Sequence, residues 1–191
     1  MQFVRLVVLL VTYLSVASCG GSGDSDSSDA MTFDGSRSSL PDFYSEEMLL
    51  ATESLGLSLN FGDESPNVEG IFRVEPVVLQ ATSNPNDAFG VGNTGVPFSV
   101  TFSNQDSNSL VIDVSDGTDL TEVTQAVISG SGNAFTVFAL VAVPAIGVEL
   151  PAAYSGNLTE FGIENFQYAP FTAADVNVRL FVDQDNLSER Q

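Results

Sequence analysis

Carboxylates are the only side chains of this sequence that could supply a general acid and a general base. The chain holds 25 Asp and Glu residues and no histidine, and two acidic pairs stand close together, Asp113 with Asp116 and Glu160 with Glu164. A glycosidase would need two such groups facing each other across a sugar, usually beside aromatic stacking surfaces. Close pairs arise by chance among so many acids, and tryptophan is absent. The sequence therefore predicts a protein that is not an enzyme.

The missing residue types exclude most other catalytic designs. Without histidine or lysine there is no Ser-His-Asp triad, no Schiff-base lysine, no phosphate-loop lysine and no histidine-based zinc site. We therefore expect no cofactor. Cys19 is the only cysteine, so the chain cannot form an internal disulfide. The chemistry of Cys19 depends on the segment that precedes it.

The first nineteen residues have the layout of a secretory signal peptide. Arg5 precedes an apolar run over 6–14, and small residues lead from there to the cysteine. The segment Val16-Ala17-Ser18-Cys19 resembles the lipobox of bacterial lipoproteins. In that family the signal is cut just before the cysteine, which carries diacylglycerol and is acylated on its new amino group. The resemblance implies a signal peptide over 1–18 and a lipid anchor on Cys19.

Residues 19–38 form the predicted tether between the anchor and the folded domain. The stretch is rich in Gly, Ser and Asp and has almost nothing to bury, which predicts a flexible, self-repelling linker. Gly20 after the cysteine resembles outer-membrane sorting in such lipoproteins, with the periplasmic or outer face left open. The formal net charge of −20 argues against nucleic acid and anionic head groups as partners, since both require clustered basic residues.

A short helical segment is predicted over 39–62. A serine and a proline can start a helix that runs over 42–55, with acidic residues in its first turns and a glycine after its end. Three apolar residues about a heptad apart are expected to pack this helix on the main domain: Phe43, Leu50 and Leu57.

Strand-like runs separated by turn residues fill 63–191. The clearest runs have apolar residues at every second position, which is typical of a strand with one buried face. They lie at 96–103, 110–114 and 176–182, and further runs lie at 70–83, 126–129, 134–143, 148–155 and 161–169. The run 134–143 is apolar on both faces, which predicts the most buried strand. A change of apolar parity between Ile163 and Phe166 predicts a bulge near Glu164 and Asn165.

Eight or nine short strands with close-spaced turns predict an all-β fold. Short links favour the pairing of sequential strands. The expected architecture is therefore an antiparallel up-and-down barrel or a β-sandwich, preceded by the short helix. The strand pattern leaves that choice open.

Aromatic residues and acidic turns supply the candidate ligand-binding positions. If the strands enclose a barrel, four phenylalanines could line its interior and hold a small apolar molecule, or they could simply fill the core: Phe98, Phe102, Phe135 and Phe138. Acidic turns at 84–87, 116–119 and 183–186 are candidates for calcium, but none completes a binding loop, and no metal site is assigned. Such residues are also those that β-turns require.

The segment Gly70-Ile71-Phe72 opens the first long strand, and Arg179 lies in the last predicted strand. This arrangement resembles lipocalin-like barrels, which carry Gly-x-Trp in the first strand and a basic residue near the last. In those barrels the two side chains pack together and close one end. The resemblance implies that Phe72 stands in place of the tryptophan and packs against Arg179.

These patterns favour a lipid-anchored envelope β-domain that acts as a non-catalytic binding or interaction module. Its partner could be a protein, a glycan or a small apolar ligand. Two alternatives stay open: an apolar-ligand carrier with a lipocalin-like barrel, and a structural protein of the envelope.

Overall fold

Strands make up most of the folded chain. The computed structural model describes residues 33–116, 120–143, 146–172 and 177–191. The predicted signal peptide, Cys19 and the tether up to residue 32 lie outside the described residues, as do residues 117–119 of one acidic turn and residue 176. The described ranges contain one α-helix, α1 (Glu46–Leu55), and eleven strands: β1 (Asp63–Glu64), β2 (Gly70–Val74), β3 (Val77–Thr82), β4 (Phe98–Asp106), β5 (Ser109–Ser115), β6 (Leu120–Ser131), β7 (Ala134–Val143), β8 (Val148–Leu158), β9 (Gly162–Pro170), β10 (Arg179–Asp183) and β11 (Leu187–Arg190).

Eight of these strands close into an antiparallel barrel. Strands β4 to β9 each pair with the next strand along the chain, and the ring is closed by the pairs β9 with β11, β11 with β2, and β2 with β4. Strand β10 continues the barrel wall by pairing with both β9 and β3, and β1 adds a short parallel pairing to β6. The all-β prediction is confirmed, and the fold is the barrel rather than the sandwich.

The period-two runs form the predicted strands. In β4, Phe98, Val100 and Phe102 are buried while the residues between them are partly exposed. Strand β11 was not predicted, because its sequence Leu-Ser-Glu-Arg lacks apolar alternation. Its position is fixed by backbone pairing with β2 and β9, which no local pattern in the sequence reveals.

The predicted bulge in β9 is confirmed. Ser155 pairs with Gln167, and Asn157 pairs with Glu164, so three steps along β9 match two steps along β8. Asn165 occupies the extra position with φ of 52°, a left-handed conformation that asparagine tolerates better than most residues. The bulge bends β9 and presents Asn165 to solvent.

Side chains fill the inside of the barrel. Buried aromatic and branched residues from all around the wall form one cluster, which includes Phe72, Phe98, Val100, Phe102, Ile112, Phe135, Val137, Tyr154, Ile163 and Phe166. The void between Phe98, Phe166 and Phe181 is too small for a water molecule. Tyr154 and Tyr168 stack with ring centroids 4.8 Å apart, and burial raises the pKa of Tyr168 to about 12. The interior is therefore a packed, uncharged core.

A second hydrophobic layer lies on the outside of the barrel. The segment from Phe33 to Phe61, with α1, covers the outer face of β7 to β10. Phe138 lies at its centre, where Phe33, Tyr44 and Phe61 contact its ring at centroid distances of 6.4, 4.9 and 5.9 Å. This layer explains why β7 is apolar on both faces: one face points into the barrel and the other lies under the covering segment.

The helix is confirmed but begins four residues later than predicted. Ser45 is its N-cap and accepts a hydrogen bond from the Met48 backbone N–H (3.3 Å), and Gly56 ends it with φ of 97°. With this start, Leu49 is buried, whereas Leu50 is 56% exposed. The heptad expectation for Leu50 was therefore wrong, because the packed face follows Leu49 and Thr52.

The last six residues of the predicted tether belong to the folded domain. Phe33 is buried against the barrel, and Arg37 forms ion pairs with Glu46 (2.7 Å) and Glu53 (2.8 Å) of α1. The tether composition hid these contacts because a single phenylalanine and a single arginine supply them.

Buried hydroxyl groups fasten the covering segment to the barrel wall. The Ser129 hydroxyl donates to the Asn60 carbonyl (2.7 Å), and the Asn60 N–H donates to Thr136 Oγ1 (2.8 Å). The Ser155 hydroxyl donates to the Ser58 carbonyl. These three hydroxyls lie on neighbouring strands β6, β7 and β8 and are fully buried. They satisfy backbone groups of an extended stretch that has no strand partner there.

Candidate functional site

A polar cleft of about 440 Å³ opens on the outer surface of the barrel. It lies where the β9 bulge, the turn between β10 and β11, strand β3 and the covering segment meet. Its walls consist mainly of carboxamide side chains: Ser58, Gln80, Asn157, Asn165, Phe166, Gln167, Val182, Asp183, Gln184 and Asn186. We call this feature the amide cleft.

Five of the six carboxamides in the amide cleft are available for a ligand. Gln167 is already engaged, since it accepts from the Ser58 N–H (2.8 Å) and donates to the Gly56 carbonyl (3.1 Å). The side chains of the other five make no hydrogen bond to any residue that the structure describes: Gln80, Asn157, Asn165, Gln184 and Asn186. Each carboxamide offers two donor hydrogens and an acceptor oxygen with two lone pairs. The cleft therefore presents many uncharged donors and acceptors on neighbouring elements.

The backbone fixes where these amides stand. The Asn165 N–H donates to the Asn186 carbonyl (3.2 Å), which joins the bulge to the β10–β11 turn. Asn186 has φ of 62°, its N–H donates to the Asp183 carbonyl (3.2 Å), and the Gln184 N–H donates to the Pro76 carbonyl (3.0 Å). The turn is thereby held from both sides, so its amides are positioned before any ligand arrives.

One carboxyl group, that of Asp183, lies in the amide cleft. Asp183 is 2% exposed and accepts hydrogen bonds from the Ser188 hydroxyl (2.7 Å) and the Asp185 N–H (3.2 Å). Desolvation by burial raises the pKa of this carboxyl above its ordinary value. No arginine is among the described residues that line the cleft. A strongly anionic ligand would find no counter-charge there.

The four phenylalanines predicted to line one interior do not share it. Phe98, Phe102 and Phe135 lie in the core inside the barrel, whereas Phe138 belongs to the layer under the covering segment. All four are buried, with at most 8% of each residue exposed. Strand alternation places Phe135 and Phe138 on opposite faces of β7, because they are three positions apart.

The barrel-closing pair involves a different arginine from the predicted one. Arg190, in β11, lies over the Phe72 ring with its guanidinium carbon 4.9 Å from the centroid, and its Nη1 donates to the Glu69 carbonyl (3.1 Å). Arg179 instead binds Asp87 through two hydrogen bonds of 2.6 and 2.7 Å. The prediction for Arg179 is corrected to Arg190, since the strand that pairs with β2 near Phe72 is the unpredicted β11.

The acidic candidates are held by the fold in several ways. Both carboxylate oxygens of Asp87, in the 84–87 turn, are engaged by Arg179, which holds the pKa of Asp87 well below its usual range. Asp113 lies opposite Glu122 across β5 and β6. Among the described residues, no group of three or more His, Cys, Asp or Glu side chains is placed to hold a metal ion. Within the same residues, no helix has the length and apolar character needed to cross a membrane.

The amide cleft itself was not predicted from the sequence. Its residues are distant along the chain, from Ser58 to Asn186, and glutamine and asparagine on turns are ordinary surface residues. Two local signals pointed to parts of it: the parity change that predicted the β9 bulge, and the turn at 183–186 that was considered for calcium. Their juxtaposition depends on the closure of the barrel.

Comparison with known proteins gives no relative from which a function could be transferred. No protein-family model matches the sequence, and no curated protein or solved structure matches the chain.

Proposed function

We propose that this chain is a lipid-anchored, non-catalytic binding module of the bacterial cell envelope, which binds its partner on the outside of a filled β-barrel. The lipobox-like segment ending at Cys19 supports the anchor, and Gly20 supports an outer-membrane location. The absence of histidine and lysine from the sequence supports a non-catalytic role.

The filled interior of the barrel is the main reason to propose that a ligand binds on the outer surface. Lipocalin-like carriers need a cavity, and ligand pockets typically span about 300–1,000 Å³. Here the void beside Phe98 and Phe166 does not admit water, whereas the amide cleft on the outer surface has a volume of about 440 Å³. A small-molecule ligand therefore fits the amide cleft on the outside of this barrel and does not fit the void inside it.

Lipid attachment is tested with the full chain in a Gram-negative host that is given radiolabelled palmitate. Wild type and a tether control, Ser22→Ala, are expected to incorporate the label and to sediment with the outer membrane. Cys19→Ser is expected to lose both properties, because serine cannot form the thioether to diacylglycerol. Equal membrane association of Cys19→Ser and wild type would contradict the anchor.

The binding mode is tested on the protein extracted from membranes, by native mass spectrometry and then by analysis of what organic solvent releases from it. A filled barrel is expected to release no apolar molecule when the protein is denatured in organic solvent, apart from the covalently attached acyl chains. Recovery of a stoichiometric apolar ligand would instead establish a carrier.

A further inference from the structure

We infer that the amide cleft binds a neutral saccharide chain; this inference rests on the proposed role as a binding module and names the chemical class of its ligand. The main evidence is the set of five carboxamides that make no hydrogen bond to any described residue. A sugar presents hydroxyl groups, each of which donates one hydrogen bond and accepts others, and a carboxamide does the same through its NH₂ and its oxygen. A carboxamide supplies both functions without charge and offers two donor hydrogens, where a hydroxyl offers one.

The charge of the site selects against other ligands. Among the described residues that line the cleft, Asp183 is the only ionisable side chain and none is basic. Phosphates and carboxylates are therefore repelled, the more so by a chain of net charge −20. A divalent cation can use carboxamide oxygens but is usually held together with carboxylates. Among the described residues the cleft wall supplies one carboxylate, Asp183, whose oxygens already accept from Ser188 and from the Asp185 N–H.

The arrangement of the amides favours a sugar over an extended peptide. They converge from four elements: β3 carries Gln80, β8 carries Asn157, β9 carries Asn165, and the β10–β11 turn carries Gln184 and Asn186. A peptide is usually captured by backbone pairing at a free strand edge. Strands β8, β9 and β10 pair on both sides, and β3, at the end of the sheet, has its outer edge bonded to the loop at 92–95, where the Leu79 N–H donates to the Asn93 carbonyl (3.0 Å). Hydroxyl groups around a ring point in several directions and match donors that come from several sides.

The cleft also has a small apolar floor. The partly exposed Val182 lines it together with the amides, and its backbone is held by pairing with both β3 and β9. Phe166 is only 1% exposed and packs in the barrel core, so it supplies little of this surface. A pyranose ring has an apolar C–H face as well as polar edges, so it can cover such a floor while its hydroxyls reach the carboxamides. Rigid positions of this kind reduce the ordering cost of binding.

The test uses the full-length protein in a detergent without a sugar head group, so that detergent does not occupy the cleft. The probes are maltohexaose, cellohexaose and chitohexaose, observed by saturation-transfer NMR and titrated for Kd. Gln80→Glu and Gln184→Glu keep the side-chain size but remove the NH₂ donors. Gln125→Glu is the matched control, since Gln125 is exposed on β6, which does not line the cleft.

At least one hexasaccharide is expected to bind the wild type. Each cleft variant is expected to weaken that binding by about tenfold, the effect of losing roughly one hydrogen bond to a ligand, while Gln125→Glu stays within about twofold. All variants should keep the melting temperature of the wild type, because both substituted amides are exposed.

Three results would overturn the inference: no binding of any of the three saccharides, saccharide binding that Gln80→Glu and Gln184→Glu leave unchanged, or binding of a neutral Gly-Ser hexapeptide in place of the sugars with the same sensitivity to those variants. These outcomes are independent of the anchor. Loss of labelling and sedimentation in Cys19→Ser reports on membrane attachment alone, so failure of the anchor and failure of the saccharide site are distinguishable.

Discussion

Arg190 lies across the ring of Phe72, 4.9 Å from its centroid, and joins the last strand of the barrel to the first. The same guanidinium reaches the Glu69 carbonyl just before β2. This pair therefore lies at the seam where the last strand of the barrel, β11, pairs with its first strand, β2. The resemblance to lipocalin-like barrels predicted a pair of this kind, but with Arg179 in place of Arg190.

A double-mutant cycle tests this closure. We expect Arg190→Ala to cost about 1 kcal/mol, since it removes a cation–π contact and a hydrogen bond to a carbonyl. Combined with Phe72→Leu, it should show a coupling energy of about 0.5–1 kcal/mol. The same cycle with Arg179→Ala should show no coupling, because Arg179 contacts Asp87 and Phe89 instead. Coupling of Phe72 to Arg179 and not to Arg190 in urea unfolding would refute the assignment.

The hydroxyls under the covering segment give a second prediction. Thr136→Val preserves shape but leaves the Asn60 N–H without its buried acceptor, so we expect a loss of about 1–3 kcal/mol in the free energy of unfolding. Thr101→Val on β4 is the control, because Thr101 lies on a part of the barrel that this segment does not cover, and should change stability by less than about 0.5 kcal/mol. Equal effects of the two substitutions would show that the covering segment is not fastened as described.

A close approach of two backbones gives a third prediction. A Cβ at Gly62 would lie 2.3 Å from the Gly130 carbonyl oxygen, while a Cβ at Gly92 meets nothing within 4 Å; both glycines have positive φ, of 156° and 87°. Gly62→Ala should therefore destabilise by at least about 1–3 kcal/mol more than Gly92→Ala, the usual cost of overpacking. Thermal unfolding of the two variants measures the difference. Similar melting temperatures would mean that the segment does not approach β6 this closely.

The buried carboxyl of Asp183 predicts a pH dependence of stability. Its pKa is raised by desolvation in the folded state, whereas the unfolded chain has the ordinary value of about 4. The folded protein thus binds the proton more tightly, so the stability that this group contributes is fully present below about pH 4 and is lost as the pH rises through the folded pKa. We therefore compare the free energy of unfolding of the wild type with that of Asp183→Asn. The wild-type value minus the variant value should fall as the pH rises from about 4 through the folded pKa.

Asp87 supplies a control of opposite sign. Its pKa is lowered, chiefly by the hydrogen bonds from Arg179, so its contribution is present above the unfolded pKa and is lost as the pH falls below about 4. The wild type minus Asp87→Asn difference should therefore rise with pH in acid. Urea titrations across the acid range measure both differences, and two differences with the same slope would contradict these pKa directions.

The sequence predicted the features that depend on a local residue pattern. It did not predict the features that depend on how the barrel closes. Alternation of apolar residues in β4 and β5, the parity change at Asn165 and the capped helix are all properties of a few neighbouring residues. The choice of barrel over sandwich, the role of Arg190 and the amide cleft depend on how β11 pairs with β2 and β9. Strand β11 is four residues long and mostly polar, so its pairing leaves no periodic signal.

The division of the phenylalanines between two clusters has a related reason. Alternation along β7 alone places Phe135 and Phe138 on opposite faces, but the run is apolar on both faces, so the sequence did not show that a second layer covers the outer one. The covering layer comes from Phe33 to Phe61, a stretch whose first residues resemble a linker in composition. Long-range contacts, rather than local propensity, determine these placements.

The intact mass of the protein purified from membranes tests the central proposal most directly. A lipid-anchored module is expected to begin at Cys19, to lack residues 1–18, and to carry the added mass of a diacylglyceryl group and one further acyl chain on that residue. A polypeptide that retains residues 1–18, or one that begins at Cys19 with a free thiol, would contradict the lipid anchor.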